Sequence, residues 1–89
     1  QLSKVEKLIV KLKSKPKDFE WSELQKVLRH FGYEEKTGKG SRRKFINLEK
    51  SRIIILHEPH PSKILKSYMI EQIIDHLKLD KDEQRIFNL

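Results

Sequence analysis

The sequence predicts an α+β fold in which a helix, three antiparallel strands and a second helix follow an extra amino-terminal helix. Three observations predict it. The apolar period changes from 3.6 to 2 after Gly32 and returns to 3.6 beyond Pro61. The strand-like runs are joined by stretches too short for a parallel crossover, so the sheet should be antiparallel. Each helical run carries one apolar stripe, and a three-stranded sheet offers one apolar face to receive the two later helices. Its other face is then left to solvent or a ligand. The 89 residues have room for one domain with one modest core. Within it we expect the extra helix over 1–17, the helix–strand–strand–strand–helix core over 18–79 and an extension over 80–89.

The elements follow in order. Residues 3–14 read as a helix: Ser3 and Glu6 have capping-box spacing, and Val5, Leu8, Ile9 and Leu12 line one face. Ser14-Lys15-Pro16-Lys17 breaks it. A second helix is expected from Trp21 to Phe31, with Trp21, Leu24, Val27, Leu28 and Phe31 as its stripe and Gly32 as its stop. Tyr33–Lys36 is a short strand, and Thr37–Ser41 a turn with two glycines. Arg43, Phe45 and Asn47 then alternate with Lys44 and Ile46 as in a half-buried strand. After a hairpin at Leu48–Ser51, Arg52–His57 contains a β-branched run suited to a central strand. Two prolines make Glu58–Ser62 a rigid loop. Lys66–Leu79 reads as the last helix, on Met69, Ile70, Ile73, Ile74 and Leu77, and Asp80–Leu89 as a short helical turn.

The charge narrows the function classes. Twenty Lys and Arg stand against 13 Asp and Glu, a net +7. That surplus on a small chain draws polyanions: nucleic acid, an anionic membrane surface or an acidic protein. Cysteine is absent, which excludes disulfides, thiolate chemistry and Cys-based zinc sites. No apolar run approaches the roughly 18 residues needed to span a bilayer, and the charged start does not suit a signal peptide. A cytoplasmic protein is the default expectation. The first helix is basic and amphipathic, a pattern that suits a membrane surface but more commonly docks on its own domain.

Lys36–Lys44 is the densest basic run, with Lys36, Lys39, Arg42, Arg43 and Lys44 and no acidic residue. Gly38, Gly40 and Ser41 inside it let a phosphate approach backbone N–H groups while the cations neutralise it. An ordinary hairpin turn has the same composition, so the loop does not stand alone. His57 and His60 flank Glu58-Pro59, and Lys63 and Lys66 follow. An imidazole beside phosphate-binding cations is what metal-free RNA cleavage needs, to take a proton from a 2′-OH or give one to a leaving 5′-oxygen. His30 and His76 lie on helices and read as structural. No His or carboxylate pair has convincing metal-ligand spacing, and no metal or other cofactor is expected.

Asp18-Phe19-Glu20-Trp21-Ser22-Glu23-Leu24, Phe31-Gly32-Tyr33 and Gly38-Lys39-Gly40-Ser41-Arg42-Arg43-Lys44-Phe45 resemble the HicA family of bacterial toxins. So do Leu56-His57-Glu58-Pro59-His60-Pro61 and the helix from Tyr68 to Leu77, so that the resemblance covers about residues 4–79. It implies a fold like the double-stranded-RNA-binding domain, cleavage of messenger RNA without a metal, growth arrest and neutralisation by a HicB antitoxin. The catalytic histidine of the family directly follows the Gly-Ser pair; here that position is Arg42. Arginine keeps its proton near neutral pH and serves as a phosphate clamp rather than a general base. Two readings follow. His57 or His60 carries proton transfer, with Lys36, Lys39, Gly40, Ser41, Arg42, Arg43, Lys44, Lys63 and Lys66 gripping RNA. Alternatively, the same face binds RNA without cutting it.

Overall fold

Ser3 opens the first helix as its spacing predicts. Its Oγ accepts from the Glu6 N–H at 3.2 Å, and the Glu6 carboxylate accepts from the Ser3 N–H at 2.8 Å. In the computed structural model, which describes residues 1–77, six elements follow in order. They are α1 (Lys4–Lys13), α2 (Trp21–His30), β1 (Glu34–Thr37), β2 (Arg42–Asn47), β3 (Arg52–His57) and α3 (Ser67–Leu77). The strands form one antiparallel sheet in the order β1-β2-β3. This is the predicted α+β arrangement. The expected turn within 80–89, and the last two residues of the expected final helix, lie outside the described residues.

The core joins all three helices to one sheet face. Ile9 and Leu12 of α1, Leu24, Val27 and Leu28 of α2, and Ile70 and Ile73 of α3 are essentially sealed from solvent. Phe45, Ile54 and Leu56 meet them from the sheet. The first helix therefore docks on its own domain through Ile9 and Leu12, against α2 and α3. Gly32 ends α2 with φ +90, a left-handed conformation that a side chain resists. Beside it Asn47 is the one buried polar residue among those described; its amide donates to the Phe31 carbonyl at 2.9 Å and accepts from the Lys50 N–H at 3.0 Å. A buried amide is tolerated because both its ends are bonded.

Two expectations are corrected. The isoleucine run of β3 is an edge strand and β2 is central. Ile54 and Leu56 face the core, while Ile53 and Ile55 alternate to the open side and remain exposed. β-branched residues favour any pleated, half-buried strand and carry no information about its place in the sheet. β2 also begins one residue earlier than expected, at Arg42. One contact had no sequence signal: the strand-like segments 19–21 and 63–65 pair through Trp21 N–H to Lys63 O and Leu65 N–H to Phe19 O, each 2.8 Å. That pairing ties the starts of α2 and α3 together.

His76, near the end of α3, lies edge-on to Tyr33, ring centroids 6.3 Å apart. Its Nε2 is buried with no hydrogen-bond partner among the described residues. Burial, then the nearby Arg52 guanidinium, push its pKa below the ordinary 6.5, while Asp75 opposes them. The folded state thus favours neutral imidazole, and the unfolded chain takes up the proton first. Stability should therefore fall as pH drops through 6.5 and level off once the folded group also titrates. Urea midpoints between pH 8 and 5 should show this slope for the natural chain and a flatter line for His76→Gln. Parallel lines would remove His76 as the cause. The carboxyls of Glu58 and Glu6 are both held below 4.5, so they act at lower pH and do not mask it.

Candidate nucleic-acid interface

The alternation of β2 sorts the basic run onto two sides of the sheet. Phe45 and Asn47 point into the core, so Arg43 shares their side, and Arg42, Lys44 and Ile46 take the other. The register then assembles the open face in rows. Glu34, Ile46 and Ile53 form one, Lys36, Lys44 and Ile55 the next, and Arg42 with His57 the third. Residues directly opposite one another stand about 4.5–5.5 Å apart at Cβ. Lys36 and Lys44 are therefore two like charges held face to face, an arrangement that disfavours the empty sheet and that an anion relieves. Lys36, Thr37, Gly38, Arg42, Lys44 and Ile46 line a depression of about 260 Å³ beside this pair.

His57 belongs to this face. It is exposed at the end of β3, directly opposite Arg42. Its Nδ1 lies 3.3 Å from the Ser41 Oγ. The Glu58 N–H donates to the Ser41 carbonyl at 2.8 Å, so the end of β3 and the glycine turn are bonded at two points. Gly40 makes this turn possible with φ +58, and no atom crowds the position where its Cβ would stand.

Arg43 is placed differently from its neighbours. Its guanidinium is mostly covered and lies 3.1 Å from the Glu58 carboxylate and 3.8 Å from that of Glu35. It also donates to the carbonyls of Gly40 at 2.8 Å and Arg42 at 2.9 Å. These contacts brace the turn from beneath. Lys63 is likewise engaged, its ammonium 2.7 Å from Glu58. Lys63 first, and Arg43 after it, hold the Glu58 carboxyl below the usual carboxylate range. Glu58 is the residue sequence reasoning missed: an acid between two histidines gave no sign that it would bind the cations on either side.

The remaining candidates are spread out. Lys39 is exposed in the turn, and Lys66 just before α3. His60 is exposed in the loop after β3, and no hydrogen bond or ion pair joins it to the basic run among the described residues. The structure thus brings together Lys36, Ser41, Arg42, Lys44 and His57. It draws Arg43 and Lys63 into a carboxylate clamp, and His60 makes no bond to the basic run among the described residues. No helix among the described residues is long and apolar enough to cross a membrane.

Residues 21–79, about two thirds of the chain, match a family model described as the HicA toxin of bacterial toxin–antitoxin systems. The matched span runs from the start of α2 through the sheet and α3 and excludes α1. No curated protein and no solved structure matches the chain.

Proposed function

Because the chain belongs to the HicA toxin family, we propose that it acts on messenger RNA in the cytoplasm as a metal-independent endoribonuclease restrained by a HicB-type antitoxin. The observation that carries RNA binding is the open sheet face, where Lys36 stands opposite Lys44 and Arg42 opposite His57. Three cations in two adjacent rows suit a polyanion, and the exposed Ile53 and Ile55 offer apolar contact to the sugars and bases beside it. An acidic antitoxin would suit the same surface.

Proton transfer falls to His57. In the tautomer that donates Nδ1–H to Ser41 Oγ, Nε2 of this exposed side chain carries the lone pair that takes a proton from a ribose 2′-OH. The 2′-oxygen then forms its bond to phosphorus, the bond to the 5′-oxygen breaks, and that oxygen takes a proton from water. The products are a 2′,3′-cyclic phosphate and a 5′-hydroxyl. Arg42, fixed in its charge and opposite His57, stabilises the negative charge that builds on the phosphoryl oxygens. Lys36 and Lys44 hold the flanking backbone.

A second reading is favoured by Arg42 itself, which occupies the position of the family histidine: the face binds RNA and does not cut it. Incubation of messenger RNA with the purified chain in EDTA separates the two. Cleavage, with growth arrest on expression, supports the ribonuclease. Intact RNA that still shifts in a gel supports the binding module. Intact RNA with no shift at low salt defeats both. In a salt series, replacing Lys36, Arg42 and Lys44 with alanine should reduce the slope of log affinity against log salt by about 2, at roughly 0.7 per lost phosphate contact on single strands. An unchanged slope would place the RNA elsewhere on the chain.

A further inference from the structure

We propose that the groove between α1 and α2 is a second binding site, shaped for an acidic amphipathic helix of a partner protein. The inference is independent of the sheet face and of whether that face cleaves RNA. α1 uses Ile9 and Leu12 to seal the core, which leaves Val5 and Leu8, earlier on the helix, only half-buried. Together they floor a cavity of about 650 Å³. Lys4 and Lys7 rim it from α1, and Lys26, Arg29 and His30 from α2. None of the three rim lysines named here on α1 and α2, nor Arg29, forms an ion pair among the described residues. By contrast Lys11, one turn further along α1, is bound to Glu23 and Asp18. Glu6, the acid of this stretch, is engaged in the capping box with Ser3. The groove thus presents an apolar floor between unneutralised cations.

That combination selects the occupant. A nucleic-acid backbone would use the rim but has nothing to bury on the floor. A bilayer surface is flat and reaches ridges rather than the bottom of a groove between two helices. An amphipathic helix with an apolar stripe flanked by Glu or Asp meets both features, with the stripe on Val5 and Leu8 and the acids on the rim. The groove also lies on the helical side, across the core from the open sheet face, so both sites are accessible together. Half of it comes from α1, which lies outside the residues that match the family.

The probe is a labelled synthetic helix of about 16 residues, Leu at helical spacing and Glu on both flanks. Binding is read by anisotropy and its location by backbone amide NMR of the full chain. The expected result is saturable binding with shifts concentrated at Lys4–Leu8 and Lys26–His30. The double variant Lys26→Glu with Arg29→Glu, whose fold is verified by circular dichroism, should weaken binding about tenfold or more. A peptide with Lys in place of Glu should not bind. The proposal is overturned if the acidic peptide fails to bind, or if its shifts map to Lys36, Lys44 and His57. It is equally overturned if the charge reversal changes nothing, or if an RNA duplex or anionic vesicles move the groove amides and the peptide does not.

Discussion

Replacing His57 with alanine is expected to slow RNA cleavage by about 10²- to 10⁴-fold, the usual contribution of a positioned general base. RNA affinity should change little, because Lys36, Arg42 and Lys44 remain. His60→Ala should cleave like the natural chain, since His60 lies beyond the strand register that sets Arg42 opposite His57. Free imidazole added to the His57→Ala protein should restore part of the rate. A further exchange follows from the register. Arg42 and His57 are directly opposite across β2 and β3, so Arg42→His combined with His57→Arg moves the imidazole by one strand and keeps the same charge. That double variant should cleave well above His57→Ala alone. Full activity in His57→Ala, measured on messenger RNA in EDTA, would sink this assignment and return attention to the binding-only reading.

Phe45→Ala should cost about 3–5 kcal/mol of folding stability, in the range for a large aromatic removed from a core. Phe45 is 2% exposed on the central strand. Its ring lies against Trp21 with centroids 5.7 Å apart and planes tilted by 56°, which locks β2 to the start of α2. A domain of this size has about 5–15 kcal/mol in total, so the variant retains a small margin or none. Urea denaturation and thermal melts should show it, with a fall in Tm of roughly 15 °C or more. Lys44→Ala, the next residue but on the open face, should stay within about 0.5 kcal/mol. The contrast between neighbours is the informative result: if both variants lose similar stability, Lys44 is not on an open face and the sorting of β2 is wrong. Loss of Phe45 should also impair RNA binding indirectly, because its packing holds the strand that displays Arg42 and Lys44.

The element order was legible because each element carries its own local signal. The Ser3–Glu6 box, the stop at Gly32 and the prolines after His57 act within a few residues of themselves, and the structure keeps all three boundaries. The helical stripes were legible for the same reason, since a 3.6 period already defines one face.

The candidate site was legible only in part. The basic run and His57 could be picked out by type and proximity, but their partners could not. Arg43 looked like the equal of Arg42 until the pleat sent one toward Glu35 and Glu58 and the other to the open face. Lys63 looked free until Glu58 reached it. The groove beside Val5 and Leu8 had no sequence signal, because a stripe records which residues are apolar and not how closely another helix covers them.

The sequence by itself therefore determined the α+β order, the ends of α1 and α2, the strongly cationic character and the candidate residues for binding phosphate or moving a proton. Tertiary structure alone decided that β2 is central, that Lys36 stands opposite Lys44 and Arg42 opposite His57, and which cations are spent on Glu58. Capping and periodicity act over one or two turns of chain and are written in neighbouring residues. Register, ion pairs and side-chain hydrogen bonds join residues far apart in the chain, such as Ser41 and His57, and exist only once the strands have met.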